Sequence, residues 1–190
     1  MGGMHNVGNA LAAIAAASSL GIDGSKIRDA VASFRGVKRR FEYHVRTQNI
    51  VYIDDYAHHP EELKALIKGA RALFNDKKCT ILFQPHLFSR TKDFAREFAE
   101  ALDLADEVIL LPIYPARELP VEGVTSELIS KKMSRATVKI MDKETFMTWM
   151  DKEYVTTAGR EYGSLMITAG AGDIDTMVQD IRKKLELVNL

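Results

Sequence analysis

Two short polar segments carry most of the side chains that could do chemistry, and each follows an apolar run. The first loop, residues 54–60, reads DDYAHHP, and the second loop, residues 84–91, reads QPHLFSRT. The paired aspartates could bind a metal, accept hydrogen bonds from sugar hydroxyls or cap a helix. His58, His59 and His86 could ligate a metal, cap a helix or bind substrate, because neutral imidazole both donates and accepts. Adjacent histidines on an irregular loop diverge, so we expect no tight metal site.

Arg90 stands just before a helix predicted to start near Thr91. Its guanidinium and the unpaired amides of that helix would face one volume, which suits a carboxylate or a phosphate. The alternative is a surface ion pair with Asp93 or Glu97. The fourth loop, residues 169–173, contains Gly170-Ala171-Gly172, a pattern that allows close backbone approach but is more often a tight turn.

The elements that position these loops alternate between apolar runs and amphipathic helices. Strands are predicted at 50–53, 80–83, 108–111, 137–140 and 165–168, and helices at 60–74, 91–104, 125–133, 144–150 and 173–187. The first of these helices has the clearest start, with Pro60 at its first position and Glu61 and Glu62 at its positive end. This succession predicts an α/β fold, a Rossmann-like and mostly parallel sheet of about six strands with helices on both faces.

The ends of parallel strands meet at one edge of such a sheet, so the loops should build one site. The third loop, residues 112–118, follows the strand at 108–111 and adds further polar side chains. β-branched and aromatic residues at 41–53 surround Gln48-Asn49, a pattern typical of a hairpin or of two short strands. A hairpin would add an antiparallel edge to the sheet.

Two helical patterns precede the sheet, at residues 9–20 and 25–34. The second places Ile27, Ala30, Val31 and Phe34 on one face, which we expect to be buried. The domain boundary should lie near Gly36-Val37, which divides the chain into residues 1–37 and 38–190.

Composition excludes several classes of protein. The 190 residues carry 26 basic and 26 acidic side chains, so a broad nucleic-acid-binding face is disfavoured. Cys79 is the single cysteine and cannot form an internal disulfide, which favours a reducing, cytoplasmic setting. We expect no membrane segment. No G-x-x-x-x-G-K-[S/T] phosphate loop occurs, so nucleoside triphosphate chemistry would need another domain.

Several motifs in this order identify a family resemblance. They are HNVGN at 5–9, GVKRRFE at 36–42, DDYAHHP at 54–60, QPHLFSRTKD at 84–93, YPARE at 114–118 and GAGD at 170–173. Over essentially its whole length the chain resembles the C-terminal part of the Mur ligases of bacterial peptidoglycan synthesis. The resemblance implies that residues 1–37 are the helical tail of a central ATPase domain and residues 38–190 a C-terminal Rossmann-like domain.

The resemblance also implies a reaction. ATP, with Mg²⁺ in the intact enzyme, would phosphorylate the carboxylate of UDP-N-acetylmuramate, and the amine of L-alanine would attack the acyl phosphate. The sugar would be bound through domains outside this chain. The fragment alone would hold no cofactor and be inactive.

Site residues follow from the same resemblance. Asn6 and Asn9 would hydrogen-bond adenine, Arg40 would face the ATP phosphates, and Asp55 would accept hydrogen bonds from the ribose hydroxyls. These four would form the nucleotide site.

The amino-acid site would be formed by Tyr56, His58, His86 and Arg90, of which the last three would be catalytic. Arg90 suits the carboxylate of the amino acid. Family members often have arginine where this chain has Leu87, so the contact of that arginine does not carry over.

Two other functions remain open at the level of sequence. One is the recycling ligase that adds a tripeptide to the same sugar, although the histidine followed by S-R-T favours the alanine-adding branch. The other is a non-catalytic nucleotide-binding module, which the missing phosphate loop would suit.

Overall fold

The computed structural model describes residues 4–157 and 163–188, together with the side chains of these residues from position 7 onward. Six strands form one sheet in the order β1-β2-β6-β3-β4-β5. They are β1 (Glu42–Arg46), β2 (Ile50–Asp55), β3 (Lys78–Phe83), β4 (Glu107–Leu110), β5 (Thr137–Ile140) and β6 (Ser164–Ala169). Only the β1–β2 pair is antiparallel. The predicted sheet and its antiparallel edge hairpin are confirmed.

Helices cover both faces of the sheet. In chain order, the α-helices of the described residues are α1 (Met4–Ser19), α2 (Gly24–Ser33), α3 (Pro60–Leu73), α4 (Phe88–Asp93), α5 (Ala95–Leu102), α6 (Glu127–Ser130), α7 (Lys143–Trp149), α8 (Val155–Thr157) and α9 (Val178–Leu187). A π-helical turn (Met150–Tyr154) joins α7 to α8, and a 3₁₀ turn (Asp173–Met177) leads into α9.

Alternation along the strands divides the core into two layers. In β2, Val51 and Ile53 pack on the side of α3 and α5, whereas Ile50 and Tyr52 pack on the side of α7 and α9. All six residues of β2 are buried, as expected for a strand with helices on both faces. Each large apolar side chain buried in this way contributes about 1.5–3 kcal/mol.

Two helix predictions need correction. The helix expected at 91–104 starts earlier, at Phe88, and is interrupted at Phe94, whose φ of −114° and ψ of 21° separate α4 from α5. The face of α2 expected to be buried is not, because α2 has no buried residue and Val31 and Phe34 are 47% and 55% exposed. The helix α1 packs against α2 but leaves both side chains exposed.

No helix in the described part of the chain is long and apolar enough to cross a membrane. The parallel strands β2, β3, β4 and β6 all end at one edge of the sheet, where the four polar loops emerge.

Candidate functional site

Arg39 anchors the segment that enters the sheet, residues 37–41. Its Nε lies 3.1 Å from Asp54 Oδ2, and its Nη2 donates to the Gly170 carbonyl at 2.6 Å. Arg39 and Phe41 both have positive φ, 57° and 50°, which costs about 1–2 kcal/mol per residue. Hydrogen bonds offset that cost, since the Phe41 amide donates to Asp55 at 2.7 Å and the Arg39 carbonyl accepts from Tyr56 at 2.8 Å.

Arg40, the neighbour of Arg39, is exposed. Its guanidinium carbon lies 5.7 Å from the centre of the Tyr56 ring, and that of Arg39 lies 5.2 Å from it. No salt bridge or side-chain hydrogen bond of Arg40 is found in the described part of the chain. Arg40 therefore has its donors available for an anion, whereas Arg39 is committed to the fold.

Asp54 and Asp55 both have structural partners. Asp54 is 1% exposed and accepts from the Thr168 hydroxyl at 2.6 Å as well as from Arg39. Burial raises its pKa, although the hydrogen bonds from Thr168 and Arg39 oppose the rise. Asp55 is 6% exposed, and its two oxygens accept from the amides of Phe41 and Ala57. Neither caps α3, and the predicted ribose contact of Asp55 stays a prediction.

The two adjacent histidines of the first loop have different surroundings. His58 Nδ1 lies 2.9 Å from the Tyr56 carbonyl, so Nδ1 donates this hydrogen bond and Nε2 is left for a ligand. His59 precedes α3 and its ring packs against Phe94 at 5.0 Å. Glu62 accepts from both backbone amides and fixes this turn. His58 is thus the histidine available to a ligand.

The second loop brings His86 and Arg90 beside His58. The His58 and His86 ring centres are 6.0 Å apart, and His58 also lies 5.2 Å from the Tyr56 ring. Arg90 Nη1 lies 3.5 Å from His86 Nδ1. Burial, followed by the charge of Arg90, lowers the pKa of His86, so its ring is neutral at pH 7. The structure therefore brings the four predicted amino-acid-site residues together.

The predicted role of the helix amides near Arg90 needs correction. Arg90 lies inside α4, and the amide of Ser89 is already bound by Glu118 Oε2 at 2.9 Å. The alternative ion pairs with Asp93 and Glu97 are not found in the described structure either. The remaining anion-binding feature is the guanidinium itself.

The second, third and fourth loops also hold residues to which sequence reasoning gave no role in the site. Gln84 is 4% exposed, donates to Asp173 at 2.8 Å and accepts from the Ile174 amide at 2.9 Å. A Cβ at Gly172 would lie 2.5 Å from Gln84 Oε1 and 2.6 Å from Tyr114 Cγ. The absence of a side chain at Gly172 therefore allows this backbone to pack closely against Gln84 and Tyr114. The position of Tyr114 in the loop that follows β4 was the one available signal, because such loops converge.

One group in the described structure has ligand atoms close enough for a metal, namely Glu42, His44 and Asp54, which lie within 4.8 Å of one another. The sequence did not single it out. Arg39 binds Asp54, and the Arg39 amide donates to Glu42 at 2.8 Å. A fixed positive charge thus already compensates the carboxylates, and this donor set does not fit Mg²⁺ with its oxygen ligands.

The predicted adenine ligands lie on α1, which packs against α2. Asn9 is exposed, and no hydrogen bond joins its side chain to the four loops in the described structure. Asn6 belongs to α1, but its side chain lies outside the described residues. The adenine contacts of Asn6 and Asn9 stay a prediction.

Comparison with known families gives a match to the family described as "Mur ligase, glutamate ligase domain" over residues 39–172. The UDP-N-acetylmuramate–L-alanine ligase of Cytophaga hutchinsonii is 49% identical over 182 residues, which are 96% of this chain and 37% of the relative. The ligase of the same name from Flavobacterium psychrophilum is 46% identical, and this chain covers 39% of its length. The chain thus spans less than two fifths of the curated relatives it matches.

A similar solved structure is the UDP-N-acetylmuramate–alanine ligase of Thermotoga maritima, which is 30% identical. The TM-score is 0.75, and the match covers 98% of this chain and 39% of that one.

Proposed function

This chain belongs to the Mur ligase family, and from that premise we propose that it is the C-terminal domain of the ATP-dependent ligase joining L-alanine to UDP-N-acetylmuramate. The observation that carries the proposal is the meeting of His58, His86 and Arg90 where β2 and β3 end. The relatives at 46–49% identity are UDP-N-acetylmuramate–L-alanine ligases, which supports L-alanine as the acceptor.

Each side chain of the site has a role that its geometry allows. Arg90 would bind the carboxylate of the amino acid through its guanidinium fork. His58, with Nδ1 bound to the Tyr56 carbonyl, would offer Nε2 to the incoming amine or hold its proton. His86, held neutral by burial and by Arg90, would add a second hydrogen-bonding ring. Tyr56 would close the side of the site towards the nucleotide.

The nucleotide side would be formed by Arg40, Asp55, Asn6 and Asn9. ATP supplies the phosphoryl group that activates the carboxylate of the sugar as an acyl phosphate. Arg40 fits a polyphosphate because it is exposed and its donors are available. Both oxygens of Asp55 already accept backbone amides, so a ribose hydroxyl would have to use a second lone pair.

The remaining parts of the proposal concern the whole protein. Residues 1–37 would be the tail of the central ATPase domain and residues 38–190 the C-terminal domain. Mg²⁺, the phosphate-binding loop and the UDP-sugar site would belong to parts outside this chain, and the chain alone would be inactive. The protein would act in the cytoplasm, in peptidoglycan synthesis.

Phosphate release by the full-length gene product tests the proposal. The protein receives ATP, Mg²⁺ and UDP-N-acetylmuramate with L-alanine, D-glutamate or the recycled tripeptide as separate acceptors. Release with L-alanine supports the proposal, whereas preference for the tripeptide would assign the recycling ligase. No release with any acceptor would leave a nucleotide-binding module.

Arg90→Ala tests the proposed carboxylate contact. The KM for L-alanine should rise at least about tenfold with little change in the KM for ATP, because a charge-assisted pair to the substrate is lost. Arg96→Ala is the matched control, since Arg96 is an exposed arginine paired with Glu100 on α5. Equal rises in both KM values would contradict the assignment.

A further inference from the structure

The third loop holds the second loop on both sides of His86. The Tyr114 amide donates to the Pro85 carbonyl at 2.8 Å, and the Leu87 amide donates to the Tyr114 carbonyl at 2.9 Å. His86 and Tyr114 are thereby aligned as one parallel bridge. The bridge continues the β3–β4 pairing into the site and leaves the His86 backbone little freedom.

The side chains of His86 and Tyr114 are in contact as well as their backbones. The ring of Tyr114 stacks on that of His86, with centres 5.7 Å apart and planes 20° from parallel. The backbone of Gly172 also approaches the ring so closely that a Cβ there would lie 2.6 Å from Tyr114 Cγ. Tyr114 therefore contacts both the fourth loop and His86, and these contacts restrict its ring.

Leu87 shows that the turn after His86 is strained. Its φ is 71°, in the left-handed region that an L-residue rarely adopts. This conformation allows His86 and Arg90 to approach, with 3.5 Å between Nδ1 and Nη1. A strained turn persists when its surroundings over-determine it, and here the two backbone bonds to Tyr114 do so.

We propose that Tyr114 is a positioning residue for the amino-acid site: its ring fixes the orientation of His86 and, through His86, that of Arg90. The identity of the substrate in this inference rests on the proposed function, whereas the contacts among Tyr114, His86 and Arg90 do not depend on it. The tyrosine hydroxyl has no hydrogen bond in the described structure, so the stacked ring is the part that acts.

Steady-state kinetics of full-length variants tests the inference. Tyr114→Leu should raise the KM for L-alanine about three- to tenfold, the energy of one aromatic pair, with the KM for ATP within about twofold. Tyr114→Phe keeps the stack and should match the wild type. Tyr43→Leu is the control, since it removes a half-buried tyrosine whose ring contacts are with Phe41, Phe74 and Arg46.

A second readout does not depend on turnover. In protein labelled at histidine, the ring resonances of His86, assigned with His86→Gln, should lose their ring-current shift in Tyr114→Leu and retain it in Tyr114→Phe. Unchanged resonances in Tyr114→Leu would overturn the inference whatever the substrate. So would an unchanged KM for L-alanine in an active enzyme, or a Tyr114→Phe defect as large as that of Tyr114→Leu. Altered resonances in a protein inactive with L-alanine would support the positioning role while the proposed function fails.

Discussion

The two halves of the proposed site are positioned by different means. On the nucleotide side, residues 37–41 are held by the buried pair of Arg39 and Asp54, whose side chains are 12% and 1% exposed. On the amino-acid side, His86 and Arg90 are half-exposed and are held by ring stacking and by backbone bonds from the third loop. The first half depends on a buried ion pair, in which loss of one partner leaves a charge unpaired. The second half depends on half-exposed contacts, each of which contributes little energy.

The largest expected effect separates two adjacent arginines. Arg39→Ala should lower the free energy of unfolding by about 3 kcal/mol, because it leaves the Asp54 carboxylate buried and unpaired. Arg40→Ala should change that free energy by less than about 0.5 kcal/mol, since Arg40 is exposed, while raising the KM for ATP. Urea unfolding and the KM for ATP are the measurements. Comparable losses of stability would show that the nucleotide side is not held by Arg39.

Crowding at the fourth loop should give the next largest effect. Gly172→Ala should cost about 1–3 kcal/mol, because the new Cβ meets Gln84 and Tyr114 and forces both to shift. The control is Gly123→Ala, because Gly123 has open space around it and its cost should come only from its positive φ. Thermal unfolding of both variants provides the test. A Gly172 variant as stable as the wild type would mean that the contact relaxes freely.

Acid should weaken the same loop through Asp173. Burial raises the pKa of Asp173, but hydrogen bonds from Lys143 and Gln84 outweigh it, and the folded value lies below the usual one. The stability from this group is therefore present above its unfolded pKa and is lost as pH falls through its folded pKa. Asp173→Asn should show a smaller loss of stability between pH 7 and acidic pH than the wild type. The difference should be modest, because the carboxylate is half exposed.

The smallest effect is expected at Glu118, which accepts from the amide and the hydroxyl of Ser89. These hydrogen bonds lower the pKa of its carboxyl. Glu118→Ala should raise the KM for L-alanine about two- to threefold, less than Tyr114→Leu, because the contact is exposed to solvent. Glu118→Gln, which retains an acceptor, should be closer to the wild type. If Glu118→Ala raised the KM for L-alanine more than Tyr114→Leu does, the Glu118 carboxylate rather than Tyr114 would be the main residue that positions Arg90.

Much of the fold could be predicted from local pattern. The apolar runs predicted five of the six strands, β2 to β6, to within two residues of the observed ends. Pro60 with its two glutamates predicted the start of α3. These features depend on residues close together in the chain. The helix expected near Thr91 was placed too late because the positive φ of Leu87, which allows α4 to begin at Phe88, is stabilised by the distant third loop.

Residue types alone predicted which loops form the candidate site, because polar side chains after successive parallel strands must meet at one edge. Residue types did not determine which of several like residues in these loops are available to a ligand. Arg39 and Arg40, Asp54 and Asp55, and His58 and His59 are equivalent by type, yet long-range partners commit one arginine, both aspartates and one histidine to the fold. Tertiary structure decided this because burial makes an unpaired polar group costly, so each buried member must take a partner that only folding brings within reach.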